Sequence, residues 1–483
     1  MRVAIVHYHL RTGGVTRVIQ HAASALAQRG HKAVILTGSG PEDEKAIESP
    51  VVVDPVLGYR ADYREGQGVI LADGLERQAR EALGSLPDVW HIHNHSLGKN
   101  PALAEAVHIL AGRGHRLLLQ PHDFAEDGRP SNYRSLLETV GEGHAARLTQ
   151  ILYPQAPTVH YAALNGRDRR LLKGAGIEDN RLHLLANPVA LAGTEEADDA
   201  GAAREGRLFV YPTRAIRRKN LGEFLLWAAV GDKGDRFAVT LAPENPAARC
   251  IYDRWVAFSG ELKLPVLFEA GVERSFVDVL REATAVVTTS VAEGFGLAFL
   301  EPWLVNRPLC GRNLPDITAE FSSAGVDLSS LYDRLEVPIE WIGMQVFRER
   351  ISSSLRESWG QYGRVVTERD ESRAVDGAVC DGRVDFGRLD EPLQEAVIRR
   401  LSASVEARNE LRPPSLILKS ASPPVAANRS AIQEGFNIDQ YGTTLEGLYK
   451  ALLDAPTRAV EELAPDAVLD QFLNPSTFSL LRT

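Results

Sequence analysis

The stretch Thr-Ser-Val-Ala-Glu-Gly-Phe-Gly-Leu-Ala-Phe-Leu-Glu-Pro, residues 289–302, decides how the rest of the chain is read. Just before it, Ala285–Thr289 is a short β-branched apolar run and predicts a buried strand. Just after the glycines, Leu297, Leu300 and Leu304 recur at helical spacing. A strand therefore feeds a glycine turn that opens a helix, with unpaired N–H groups aimed beyond the strand end, where a phosphate would sit. Glu293 on the turn and Glu301 about two helical turns later add carboxylates able to accept from hydroxyls. Phosphate donors beside hydroxyl-reading carboxylates suggest a sugar nucleotide.

Glycines between a strand and a helix are common, and glutamates on a helix are usually solvated. The context outweighs that reading, because Gly294-Phe295-Gly296 follows a buried strand and the pattern continues through Asn306-Arg307-Pro308-Leu309 and Leu314-Pro315-Asp316. On these residues the chain resembles the retaining glycosyltransferases of family 4. The resemblance implies an α/β chain of GT-B fold, with two Rossmann-like domains facing across a cleft.

Bulk properties agree with a globular enzyme. A chain of 483 residues suits two core domains plus an elaboration. Its 44% hydrophobic and 24% charged content argues against wholesale disorder. A net charge of −10 weighs against nucleic-acid binding and against a basic membrane-docking face. Cys250, Cys310 and Cys380 are too scattered for a disulfide framework or a clustered metal site. No apolar run reaches membrane-spanning length, and Met1–His7 reads as a strand, not a signal peptide. A cytoplasmic protein without stable membrane anchoring is expected.

Strands are predicted at Arg2–His7, His31–Thr37, Val51–Val53, Val89–His93, Arg116–Gln120 and His183–Leu185, making a first, acceptor-side domain of residues 1–190. Val15, Val18, Ile19, Ala22 and Leu26 mark the face of its first helix. Glu195–Gly206 is small and acidic, as a linker should be. A second βα series follows: strand Leu208–Tyr211, helix Leu221–Val230, strand Phe237–Ala242, helix Pro246–Phe258, strand Val266–Phe268 and helix Ser275–Glu282. A donor-side domain of residues 206–320 and 433–453 is expected. Residues 454–483 read as a tail packing back on the first domain. Residues 321–432 have no counterpart in the family resembled, and include a helix-like run near Leu393–Ser404. Three roles stay open for them: covering the acceptor site, mediating homo-oligomerisation, or decorating the surface.

In the second domain, Arg214 and Lys219 lie five apart after a strand, on the crevice side of an open sheet. Both can converge on a diphosphate, Arg as a planar fork and Lys as a point charge. Arg217 and Arg218 between them read as solvent-facing. The resemblance implies that Arg214 and Lys219 neutralise the departing diphosphate, helped by amides around Phe295–Leu297. It also implies that Glu293 contacts sugar hydroxyls, that Glu301 contacts the ribose, and that the anomeric configuration is retained.

In the first domain, the resemblance places His122 near the donor sugar and assigns Gly13-Gly14 to a loop approaching the donor. Asp123, Arg129 and Tyr133 follow in a segment rich in hydrogen-bonding groups, a candidate acceptor surface. Tyr59, Arg60 and Arg64 would suit a phosphate- or carboxylate-bearing acceptor, though a solvated turn is the favoured reading. His91, His93 and His95 share a strand face, but carboxylate ligands and zinc-motif spacing are missing. A metal-independent reaction with no cofactor is expected, using a UDP, GDP or ADP sugar as co-substrate and a small soluble acceptor. A catalytically silent nucleotide-sugar-binding regulatory subunit is the alternative from another class, followed by a GT-B nucleotide-sugar epimerase. A sugar phosphorylase is disfavoured for want of a lysine environment suited to pyridoxal.

Overall fold

A computed structural model describes residues 1–42, 47–60, 62–191, 206–411 and 424–482. The expected linker Glu195–Gly206 therefore lies, but for Gly206, outside the described residues. The chain divides into two compact units, one of Met1–Pro188 with Phe436–Leu473 and one of Val189–Gly435 with Asn474–Thr483.

The first unit is built on seven strands: β1 (Arg2–His7), β2 (Lys32–Thr37), β3 (Val51–Val53), β4 (Val89–His93), β5 (Leu117–Gln120), β6 (Val159–Ala163) and β7 (Leu182–Leu184). They pair in the order β3-β2-β1-β4-β5-β6-β7, all parallel. β1, β4 and β5 are buried almost throughout, because helices cover both faces of a parallel sheet. Strand order reverses between β1 and β4, so the crevice beyond their carboxyl ends is where such a sheet binds ligands. β6 was not among the expected strands, since His160 interrupts a short apolar run that follows Pro154 and Pro157.

Helix Ile438–Asp454 completes this unit. Its stripe of Tyr441, Leu445, Tyr449 and Leu452 packs against Val3, Ile5, Ile19, Leu26 and Leu118. Arg29 ties the contact down, donating from Nη2 to the Asp439 carbonyl at 2.6 Å and to Thr443 Oγ1 at 3.1 Å. This corrects the expected assignment of 433–453 to the second domain. The helix is amphipathic, and its apolar face belongs to the first core. The tail divides likewise: residues to Leu473 join the first unit, and Asn474 onward the second.

The second unit carries β8 (Leu208–Arg214), β9 (Arg236–Leu241), β10 (Val266–Leu267), β11 (Ala285–Thr288), β12 (Leu309–Arg312) and β13 (Leu331–Tyr332). Their order, β10-β9-β8-β11-β12-β13, repeats the pattern of the first sheet, with its reversal between β8 and β11. Beyond Phe321 come a three-stranded sheet of β14 (Glu336–Pro338), β15 (Val379–Cys380) and β16 (Arg383–Asp385) and several helices, Glu391–Ala403 among them.

The helix expected after the glycine turn is fragmented. A 3-10 turn covers Leu297–Phe299, and a four-residue helix, Glu301–Leu304, restarts after Leu300. Pro302 has no N–H to continue the ladder and sits where a helix start tolerates it. Asn306, at φ 58°, ends the segment.

Candidate active site

In the second unit, the loop after β8 closes in a 3-10 turn, Arg217–Lys219, and Asn220 adopts left-handed geometry at φ 52° to start helix Leu221–Val230. The Lys219 carbonyl accepts from the Tyr211 hydroxyl at 2.9 Å and from Thr289 Oγ1 at 3.1 Å. The end of β11 and the loop after β8 are thereby locked together, and the Val291 N–H adds a bond to the Arg218 carbonyl at 3.0 Å. Lys219 Nζ lies 2.5 Å from Glu293 Oε1, with both side chains largely buried. Burial pulls the Lys219 ammonium below its ordinary pKa, and adjacent Glu293 opposes that shift. An ammonium held in a dry crevice beside a carboxylate can serve an anionic leaving group and hydroxyls at one place.

The structure brings together Lys219 and Glu293 but not Arg214. Its guanidinium is half exposed and pairs with Glu244 at 2.6 Å. Arg218 stands closer to the pair, 3.9 Å from Glu293 Oε2, and donates to the Ala292 carbonyl at 3.2 Å. The expectation that Arg217 faces solvent is corrected. It makes a two-pronged pair with Glu391, at 2.7 and 2.9 Å, because a carboxylate from beyond Phe321 comes to meet it.

Gly296 is left-handed at φ 93°, and a Cβ there would lie 3.0 Å from both Ile317 and Phe299. Gly294 has open space where its Cβ would be. Phe295 is buried edge-on to Phe321, with ring centroids 5.5 Å apart. Leu297 and Glu301 are half-buried, Glu301 opening the short helix.

Below Asn220 lies a buried ionic cluster that the sequence reading missed. Arg312, at the end of β12, donates to Glu223 at 2.5 Å and to both Asp385 oxygens at 2.8 Å. Tyr332 donates to Glu223 Oε1 at 2.7 Å, and Asn220 Nδ2 donates to Oε2 at 2.8 Å. Burial works against the Arg312 charge, but the two carboxylates hold its pKa above the ordinary value. Partners 89 and 73 residues away leave no signal in local spacing.

In the first unit, imidazoles gather at the strand reversal. His7 ends β1, His93 ends β4, and His122 follows β5. His93 Nδ1 and His122 Nε2 are 2.9 Å apart, and the His91 and His93 rings lie tilted with centroids 4.3 Å apart. His91 is bracketed by Tyr449 at 2.8 Å and Gln120 at 2.9 Å, and His95 bonds the Leu152 carbonyl at 2.8 Å. Asn94, left-handed at φ 57°, fixes the turn by accepting from the His122 and Asp123 N–H groups at 2.6 and 3.0 Å. Its place after the His-Ile-His run was the one available signal.

Burial and neighbouring imidazoles push His7 and His122 down to about 3, burial holds His91 and His95 at about 4, and burial with the adjacent imidazoles lowers His93 well below its ordinary value. Below pH ~6.5 the unfolded chain binds protons that these folded imidazoles refuse, so stability falls with pH, by about 1.4 kcal/mol per pH unit for each group. Glu126, raised to about 7 by burial, acts oppositely: what it contributes is present at low pH and lost as pH rises through 7. Five imidazoles outweigh one carboxyl, so the urea midpoint of the first unit should drop steeply from pH 7 to pH 5. A flat profile would show that the imidazoles take up protons within the fold.

The candidate acceptor residues separate. Tyr59 is half exposed, stacks edge-on with Tyr8 and His9, and lies 3.2 Å from His9 Nε2. Lys99 Nζ sits 5.8 Å over its ring. Burial raises the Tyr59 pKa, Asp123 adds to that, and Arg11 and Arg129 oppose it, so three charged groups act on this hydroxyl. Arg60 instead pairs with Asp62 at 2.8 Å, and the Arg64 N–H donates to Gln67 Oε1 at 3.1 Å. Arg129 pairs with Asp123 and also staples its own loop through the Phe124 and Asp127 carbonyls at 3.1 and 3.0 Å. Tyr133 is corrected: it is buried, and its hydroxyl donates to Asp466 at 2.7 Å, inside the unit and not on a binding surface. Gly13 is extended at φ 171°, and a Cβ at Gly14 would meet nothing within 4 Å. Packing within the unit does not explain either glycine.

Two parallel sheets of matching order, each with its polar cluster at the reversal point, form the GT-B fold. Likeness to glycosyltransferases in both sequence and fold makes the chain a glycosyltransferase of that fold. Within that class the chain is similar to family 4, and residues 12–192 match the profile described as Glycosyltransferase Family 4. A curated relative, mannosylglucosyl-3-phosphoglycerate synthase of Petrotoga mobilis, is 28% identical over 364 residues, covering 69% of each chain. Among solved structures, Anabaena HepE in complex with UDP and glucose matches at TM-score 0.53 and 11% identity, over 93% of this chain and 100% of the other. Sucrose-phosphate synthase from Thermosynechococcus elongatus matches at TM-score 0.51 and 15% identity, over 93% and 98%. Among the described residues no helix is long and apolar enough to cross a membrane.

Proposed function

We propose that this glycosyltransferase moves a hexose, with retention and without a metal, from a nucleoside-diphosphate sugar to a hydroxyl of a small anionic acceptor in the cytoplasm. The observation that carries the reading is the buried Lys219–Glu293 pair at the strand reversal of the second sheet. On donor binding, the diphosphate takes over Lys219 and sugar hydroxyls donate to Glu293. As the diphosphate leaves, positive charge grows at the anomeric carbon, and Lys219 meets the negative charge left on the phosphate oxygen. Arg214, at the same strand end, exchanges Glu244 for that phosphate. Glu301 and the amides of Phe295–Leu297 complete the nucleotide side. Solved neighbours bound to UDP and UDP-glucose support the donor class.

The acceptor charge follows from the first unit. Arg11 and Lys99 flank Tyr59 and His9, while Arg129 and Asp123 neutralise one another. The excess is positive and suits phosphate or carboxylate. The name of the Petrotoga relative describes a product carrying 3-phosphoglycerate, which has both.

Thermal-shift screening with UDP, GDP and ADP sugars selects the donor, since a ligand of the native state raises the midpoint. Transfer is then followed with a 3-phosphoglycerate glycoside and with its dephosphorylated counterpart, in EDTA, and the anomeric configuration is read by NMR. We expect a retained product from the phosphorylated acceptor only. Equal rates on both acceptors would refute recognition of the phosphate by this site. No nucleoside diphosphate released from any tightly bound donor would instead mark a silent binding subunit.

A further inference from the structure

The role of the chain beyond Phe321 can be read from what it touches. Arg217 and Asn220 flank Lys219 closely, and each is held from helix Glu391–Ala403. Glu391 takes both prongs of Arg217, at 2.7 and 2.9 Å. Gln394, one turn further along the same face, donates to Asn220 Oδ1 at 2.8 Å and to the Phe386 carbonyl at 3.1 Å. Gln394 is fully buried, and Glu391 nearly so. The helix lies directly on helix Leu221–Val230: a Cβ at Gly222 would come within 2.1 Å of Gln394 Oε1. From the same part of the chain, Asp385 grips Arg312, which grips Glu223, which accepts from Asn220. The Lys219 backbone is thus held from the sheet side by Tyr211 and Thr289, and its two flanking side chains are held by residues of the extra segment.

Asn220 is a left-handed non-glycine residue, a geometry that persists only when its surroundings impose it. A 3-10 turn of three consecutive basic residues also repels itself. Both facts mean the turn needs outside help to present Lys219 at Glu293.

We propose that the segment beyond Phe321 is a brace for the donor-phosphate turn, with Glu391 and Gln394 as positioning residues that act through Lys219. The inference rests on the donor reading given above and extends it to a part of the chain with no assigned role. An alternative in which helix Glu391–Ala403 only adds stability predicts a different pattern of effects.

The test measures the dissociation constant of whichever of UDP, GDP and ADP binds the wild type best, together with the thermal midpoint, for K219A, E391Q, Q394A and R217K. We expect K219A to weaken binding at least tenfold, and E391Q, Q394A and R217K to weaken it about three- to tenfold. R217K keeps the charge but loses the fork that Glu391 requires, so it serves if E391Q does not fold. Glu391→Asp, retaining the charge, should recover most of the affinity. In the K219A background E391Q should add less than twofold, because the group through which it acts is gone. Full, additive loss there, or a lowered midpoint with unchanged affinity in the single variants, would overturn the brace while leaving the donor reading intact. Unchanged affinity in K219A would overturn both.

Discussion

Lys219→Ala is expected to lower kcat by about 10²–10³-fold, the loss seen when one preorganised group facing a developing charge is removed. The reason is positional. Lys219 is the ammonium that the structure places within 2.5 Å of Glu293, both side chains largely buried, on a turn whose backbone Tyr211 and Thr289 hold. In such a site a point charge acts with less screening than in water. Steady-state kinetics on the donor selected by thermal shift checks this, with circular dichroism to confirm the fold. A loss below about fivefold would remove Lys219 from the reaction and return attention to Arg214 and Arg218. Because Arg214 pairs with exposed Glu244, its truncation should cost less than that of Lys219.

The largest effect on stability is expected at Arg312. Arg312→Met leaves Glu223 and Asp385 facing each other, buried, without the guanidinium that joins them. Breaking a buried ionic group in this way costs about 3–5 kcal/mol. The pH dependence of the deficit carries a sign. In the variant at least one of the two carboxyls must hold a proton, so its folded pKa rises above its unfolded value. The difference from wild type should therefore shrink toward pH 5 and widen as pH rises through that raised value. Urea unfolding of wild type and variant at matched pH checks both magnitude and slope. Adding Glu223→Gln to Arg312→Met should restore part of the loss. A deficit under 1 kcal/mol at pH 7.5 would show the cluster to be dispensable.

How far the sequence led is clearest residue by residue. Arg2–His7, Val51–Val53, Val89–His93 and Leu221–Val230 have the ends that their apolar runs predict, because continuous β-branched or helical-period patterns are local signals. β12 and β13 were not expected, being short and lacking a pattern of their own. Lys219 and Glu293 were legible only as halves of a motif, 74 residues apart, and their meeting is a property of sheet order. That Arg214 turns to Glu244 while Arg217 turns inward is decided by carboxylates on other elements. The cluster at Arg312 and the hold of Gln394 on Asn220 are tertiary, and nothing near either residue foretells them. The placement of helix Ile438–Asp454 was missed for the same reason: amphipathicity says that one face is covered, never by which core.

That helix sets the order in which the molecule can be finished during synthesis. Arg29 reaches its carbonyl partner at Asp439 across 410 residues of chain. Residues 1–188 thus emerge from the ribosome with one wall of their core still unmade, Val3, Ile19 and Leu26 uncovered until Tyr441 and Leu445 arrive. At ordinary elongation rates of roughly 5–20 residues per second, that wait is on the order of tens of seconds. The first half of the protein to be translated is among the last to be complete, and it spends the interval as a natural client for chaperones.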